Sequence, residues 1–270
     1  MRGISRASLA EVEERLEPLI TTAQAAETVG DELFSVAGLL ATQPALRRAL
    51  TDPSRTAEAR VGLATAILRG KVSDAASDLV AAVAGARWSA PGDLTDAVEQ
   101  LAVQAIVAGA ELEGRLEDLE DEMFRFGRIV ANQPDLRIAL TNPFVSAHAK
   151  RELLGGLLAG KVTPETLRLI SQATVNPLGR SLDVSLNDYA QLAARRRERL
   201  VAEVHVAVAL TEQQRRRLAS ALATAYGHQV HLNVVLDPRV AGGMTVRVGD
   251  ELIDGSTATR LAEAERRLAS

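Results

Sequence analysis

Gly155-Gly156-Leu157-Leu158-Ala159-Gly160-Lys161 is the first candidate for chemistry, because a glycine-rich turn ending in lysine can wrap backbone N–H groups around a phosphate. Its surroundings argue against that use. Val162 stands where a phosphate loop needs a Ser or Thr hydroxyl for magnesium, and the related segment Thr65 to Lys71 lacks the first glycine. The segment also closes a helical stripe instead of following a strand, so a helix C-cap is the better assignment. His148, His205, His228 and His231 are the only histidines, and none has the i,i+4 spacing that sets two imidazoles on one helical face for a metal. With no cysteine there is no thiolate site, disulfide or cysteine nucleophile, which fits a reducing compartment. Glu117, Asp118, Glu120, Asp121 and Glu122 are dense enough for paired-carboxylate proton transfer, but around Leu119 and Met123 on a helix they read as a solvated face. Arg195-Arg196-Arg197 falls near a helix C-terminus, where cations meet the negative end of the dipole; nucleic-acid contact is the minor alternative. No Cys, His pair or Ser-His set has catalytic spacing, so the expectation is a chain with no catalytic residue, cofactor or metal.

The most distinctive stretch runs from Leu236 to Ser256 and includes Gly242, Gly243, Arg247, Gly249, Asp250, Ile253, Asp254, Gly255 and Ser256. Its glycines are able to cradle a ligand. The plainer account gives Gly242-Gly243 a bulge, Gly249-Asp250 a hairpin turn and Asp254-Gly255-Ser256 a helix cap, and the physics of turn residues favours it.

The elements that hold these residues follow from composition and repetition. Of 270 residues 47% are apolar and only 3% aromatic, so Leu, Ala and Val must fill the core, which favours helix packed on helix. A net charge of -4 argues against a general nucleic-acid binder. The most apolar runs, Leu79 to Ala86 and Leu101 to Ala110, fall far short of the roughly 20 residues that cross a bilayer, and Met1 to Leu9 lacks the apolar core of a signal peptide.

The chain also repeats itself. Asp31-Glu32-Leu33-Phe34 recurs as Asp121-Glu122-Met123-Phe124, Gln43-Pro44 as Gln133-Pro134, Ala49-Leu50-Thr51 as Ala139-Leu140-Thr141, and Gly70-Lys71-Val72 as Gly160-Lys161-Val162. Every pair is 90 residues apart. Apolar spacing of three and four predicts helices near 6–25, 28–41, 44–50, 54–69, 73–86 and 93–108, then 112–131, 134–140, 144–158, 164–174 and 181–200. The helix near 93–108 is expected to close the first bundle and open the second. Phe34/Phe124, Leu46/Leu136, Leu50/Leu140, Leu63/Leu153 and Leu68/Leu158 are expected to form the same core twice.

Beyond residue 200 the period changes to two at Val201, Val204, Val206 and Val208 and at Val230, Leu232, Val234 and Leu236. A helix from Thr211, its N-cap, to Tyr226 separates these strands, with Gly227 as its stop. Strands at Met244 to Val248 and Glu251 to Ile253 and a last helix capped by Ser256 follow. The expected fold is mainly α: two tandem helical bundles sharing a helix (1–110 and 95–200), then a small mixed α/β domain (201–270).

The stretch around Ala241-Gly242-Gly243, Arg247-Val248-Gly249-Asp250, Ile253-Asp254-Gly255-Ser256 and Arg260-Leu261 resembles the C-terminal signature of the delta subunit of F-type ATP synthases, the oligomycin-sensitivity-conferring protein family. Leu210-Thr211-Glu212-Gln213-Gln214 and the helical segment 112–200 resemble the family as well, so the likeness covers roughly 95 to 270. The extra helical copy in front is similar to the longer delta subunits of actinobacteria. The resemblance implies an unfused, non-catalytic stator subunit that grips N-terminal helices of the head's α subunits, binds the b stalk, and sits peripherally on the cytoplasmic face of the plasma membrane without inserting. From the duplication, the second copy is expected to be the surer site because it keeps the direct connection to the C-terminal domain: residues 112–200 should bind an α N-terminal helix, and residues 1–110 a second α helix or the stalk as a brace. A free-standing helical adaptor and a nucleotide-binding enzyme using Gly155 to Lys161 are the alternatives.

Overall fold

The structure is a computed structural model that describes residues 3–199, 201–226, 230–237, 240, 242–249 and 251–254. It divides into two compact units, Met1–Ala193 and Ala194–Ser270.

In the first unit, α1 (Ile4–Glu13), α2 (Ala23–Thr42), α3 (Pro44–Thr51), α4 (Ala57–Leu68) and α5 (Asp74–Gly85) form one copy. The other holds α7 (Leu116–Asn132), α8 (Pro134–Thr141), α9 (Ala147–Leu158), α10 (Pro164–Val175) and α11 (Leu182–Arg199). Between them α6 (Pro91–Leu112) packs against α1, α2, α3 and α5 and also against α7 and α10. It is buried on nearly all sides, as a helix rich in Ala, Val, Leu and Ile must be.

Both copies obey one local grammar. Pro44 and Pro134 open α3 and α8 at the position that tolerates a missing N–H. Thr56 and Ser146 cap α4 and α9, accepting from Ala59 N at 3.3 Å and Ala149 N at 3.2 Å. Gly70 and Gly160 follow those helices with φ of 69° and 71°, a left-handed conformation that spares glycine the Cβ clash.

The predicted single helix over 6–25 is two helices. Pro18 interrupts the backbone ladder, a 3₁₀ turn forms at Glu17–Leu19, and Thr22 then caps α2 by accepting from Ala25 N at 3.1 Å. The duplicated core also departs from expectation. Leu50 and Leu140 are buried alike, as are Leu33/Met123, Leu40/Val130 and Leu79/Leu169. Phe34 is 5% exposed but Phe124 is 61% exposed, and Leu153 also faces outward while Leu154 is buried. Leu46, Leu136, Leu63 and Leu158 are half-buried. The aromatic pair splits because Phe34 meets the Tyr189 ring of α11 at 6.4 Å, whereas Phe124 meets the Arg128 guanidinium of its own helix at 5.9 Å.

In the second unit a four-stranded sheet has the order β2 (His231–Leu236), β1 (Val201–Val206), β3 (Met244–Val248), β4 (Glu251–Asp254). β1 and β2 are parallel, joined through α12 (Glu212–Tyr226), and β1–β3 and β3–β4 are antiparallel. The inward residues of β1 are Ala202, Val204 and Val206; Val201 faces out and Val208 lies beyond the strand. They form a core with Val246, Val248 and Leu222. Thr211 caps α12 as a capping box, its hydroxyl accepting from Gln214 N at 3.3 Å while its N–H donates to Gln214 Oε1 at 2.8 Å.

Candidate partner-binding surfaces

Three polar arrangements stiffen the helical unit. Glu32 of α2 accepts from Ser73 N at 3.0 Å and from Ser73 Oγ at 2.5 Å, at the start of α5. Its counterpart Glu122 of α7 accepts from Thr163 N and Oγ1, both at 2.9 Å, at the start of α10. Part of the acidic run read as a solvated face is therefore a helix tie; Glu117, Asp118 and Asp121 remain exposed. In α4, buried Arg60 donates to the carbonyls of Ala84 (2.9 Å) and Gly85 (2.8 Å), satisfying the orphan end of α5.

The third arrangement joins α6 to α11. Glu99, 1% exposed, accepts from Tyr189 Oη at 2.5 Å and pairs with Arg180, which also donates to Asp188 Oδ2 at 3.0 Å. Burial pushes the Tyr189 phenol far above its ordinary range. Burial likewise raises the nearby Asp96 carboxyl, against the pull of Arg180. Composition and periodicity did not reveal this cluster, since Glu99 sits in a helix that is otherwise apolar.

Gly155 and Gly156 fall within the last turns of α9. Lys161 Nζ donates to Leu157 O at 2.9 Å, so the lysine serves the helix's own C-terminus. Among the described residues no group of three or more His, Asp or Glu is arranged to hold a metal. Nor is any helix there long and apolar enough to cross a membrane.

Gly242 and Gly243 precede β3 with φ of 83° and 79°, and Gly249 closes it with φ of 57°. Arg247 lies on the exposed face of β3, opposite Glu203 of β1 and Leu252 of β4, and Ile253 and Asp254 are exposed in β4. Asp250, Gly255, Ser256, Arg260 and Leu261, with the Gly227 stop and the last predicted helix, lie outside the described residues. The hairpin is anchored by Tyr226 Oη of α12, which donates to Glu251 Oε2 at 2.7 Å; that bond raises the Tyr226 phenol.

Two apolar surfaces remain open on the helical unit. The exposed large side chains concentrate on the second copy, with Phe124, Ile138 and Phe144 the most prominent; Phe144 is 95% exposed where the first copy has Ser54. The other is a groove of about 1100 Å³ between α1 and α5, whose lining mixes Ile4, Ala7, Val12, Val61, Ala81 and Ala82 with the charged Glu11, Glu14, Arg15, Asp78 and Arg87. Apolar lining with scattered charge suits an amphipathic helix.

The family model described as ATP synthase delta (OSCP) subunit matches residues 102–268. ATP synthase subunit delta of Thermobifida fusca is 47% identical over the whole of both chains, and that of Streptomyces griseus is 47% identical with the same coverage. ATP synthase subunit delta of Streptomyces coelicolor is 48% identical over 100% of this chain and 99% of its own. The chain belongs to the ATP synthase delta (OSCP) subunit family. This family is a structural, non-catalytic part of the peripheral stalk of ATP synthase, and the absence of a catalytic constellation in the sequence agrees with that. A chain of the Toxoplasma gondii mitochondrial ATP synthase hexamer aligns over 62% of this chain and 95% of its own, at 18% identity and a TM-score of 0.33.

Proposed function

We propose that the chain is the stator element tying the catalytic head to the b stalk, so that torque from proton-driven rotation does not turn the head. The helical copies (1–110 and 95–200) face the N-terminal helices of the α subunits, and the domain 201–270 holds the b stalk at the cytoplasmic face of the plasma membrane. Within that domain the turns from Gly242 to Ser256, with Arg260 and Leu261, are the framework of the stalk contact. Full-length identity to delta subunits carries this reading. The apolar surfaces of a helical body tied together by Glu32, Glu122 and Glu99 support it physically.

The test is mild detergent extraction of the assembled synthase, with photocrosslinkers at Phe144 and at Arg247. The expected products join Phe144 to α and Arg247 to b. Crosslinks from neither position to α or b, in an active synthase, would refute the assignment.

A further inference from the structure

Between α2, α9 and α10 lies a cavity of about 440 Å³, a size ordinary for small-molecule sites. Its walls include Asp31, Phe34 and Gly38 of α2, Arg151 of α9, and Arg168 and Gln172 of α10. Arg168 pairs with Glu27 and Asp31 of α2, so the one carboxylate of the wall is already neutralised. What stays unspent is mostly donor. Asn176 Nδ2 donates to Gln172 Oε1 at 3.2 Å, which engages the acceptor end of that amide and leaves Nε2 buried with no partner among the described residues. Arg151 is exposed and forms no ion pair with a described residue, and Ser171 adds a hydroxyl to the same wall. A buried N–H without an acceptor is costly, and a ligand oxygen would satisfy it.

The repeat shows that the fold does not require these groups. Ninety residues earlier, Arg151, Ser171, Gln172 and Asn176 correspond to Val61, Ala81, Ala82 and Ala86, and α4 packs on α5 without any of the four polar side chains. Arg168 has a structural reason in its pairing with α2, which the other four do not share. Gly38 points the same way. It lies inside α2, where glycine is less favourable than alanine, and a Cβ on it would meet nothing within 4 Å. Its counterpart is Arg128, so the position accepts a side chain, and the bare backbone keeps the cavity open.

We propose that this cavity binds a small phosphate monoester, with the phosphate on Arg151, Gln172 and Ser171 and the organic part against Phe34, Gly38 and Val175. Three separate donors suit a tetrahedral oxyanion better than a planar carboxylate, which a single guanidinium fork already satisfies. The wall sets one carboxylate, Asp31, against two guanidiniums, which favours an anion. The last carbonyls of α10 oppose one, and Lys150 offsets them: it is 8% exposed and stands at the repeat position from which Arg60 serves the carbonyl end of α5. Inorganic phosphate alone would leave most of the cavity unfilled. Nothing in the proposal depends on the stator reading, which co-purification with synthase subunits judges separately.

The test is calorimetric titration of the full chain with ribose 5-phosphate, AMP, ribose and inorganic phosphate. At least one ester should bind saturably at one site per chain, with half-saturation between roughly 10 μM and 1 mM, and ribose should give no heat. Arg151→Val and Gln172→Ala install the first copy's residues, and each should weaken the ester about tenfold, the scale of one charge-assisted or buried hydrogen bond. Gly38→Leu fills the cavity and should remove binding at unchanged helix content by circular dichroism. Binding of neither ester would overturn the proposal. So would binding of inorganic phosphate alone, or ester binding that keeps its full strength in Arg151→Val and Gly38→Leu. If one variant loses helix content, the other two decide.

Discussion

Replacing Glu99 with alanine should be among the most damaging single changes in the helical unit that leave its backbone path alone. The carboxylate is 1% exposed, and its loss leaves the buried Tyr189 hydroxyl without an acceptor, at a cost of about 1–3 kcal/mol. Breaking a buried ion pair costs about 3–5 kcal/mol where the remaining charge is stranded, but Arg180 is 28% exposed and keeps Asp188 at 3.0 Å, so only a part of that applies. The total comes to about 3 kcal/mol, or a fall in Tm of roughly 6–12 °C at 2–4 °C per kcal/mol for a unit of this size. Glu99→Gln, which keeps an acceptor for Tyr189, should lose about half as much, and Tyr189→Phe about 1 kcal/mol. Urea unfolding of the full chain followed by far-UV circular dichroism reads all three, and the Glu99→Ala/Tyr189→Phe double mutant should show coupling of about 1–2 kcal/mol. A Glu99→Ala loss below about 1 kcal/mol, or a Tyr189→Phe loss equal to it, would refute the reasoning, because the hydroxyl and the ion pair would then not be separate contributions.

Glu32→Ala and Glu122→Ala should each cost about 1.5–3 kcal/mol and match within about 0.5, since both carboxylates make the same tie 41 residues on; unequal losses in urea would show that the repeats differ in stability. Asp96→Asn should raise stability at pH 7 and leave it unchanged near pH 3. The folded carboxyl is raised above its unfolded value, so its contribution is fully present below the unfolded pKa and is lost as pH rises through the folded one; a gain at pH 3 would contradict this. Gly249→Val forces a β-branched residue to a φ of 57° at a cost of roughly 1–3 kcal/mol. It should weaken binding of a b-stalk peptide while most helix content remains, and unchanged peptide binding would detach the Arg247 to Ser256 turns from the stalk contact.

The fold was legible wherever punctuation is local. Pro44 and Pro134, Gly70 and Gly160, and Thr211 each satisfy or release backbone groups within one turn, so their roles survive whatever packs around them. The 90-residue repeat then carried one copy's reading to the other. What was not legible depends on neighbours distant in the chain. Glu122 looked like its exposed companions because its partner, Thr163, is 41 residues away. Phe34 and Phe124 looked equivalent because the ring that separates them, Tyr189, approaches only one of the two copies.

Sharing α6 has a consequence for valency. Two equivalent bundles would present two grooves and gain avidity through effective concentration, as the duplicated sequence suggests. The shared helix makes the two flanks unlike. α6 packs against α1, α2 and α5 and also against α7 and α10, and Arg168 of α10 pairs with Glu27 and Asp31 of α2. The same constraint appears along α6 in the residues related by 90: Leu9, Glu99 and Tyr189 occupy one position of the repeat, and only the middle one must satisfy neighbours on both sides, which it does with a carboxylate bridging to α11. At α6 the repeat is therefore not two equivalent bundles: the flank beside α10 carries α2, and the corresponding flank of α1 is lined by Ile4, Ala7 and Val12.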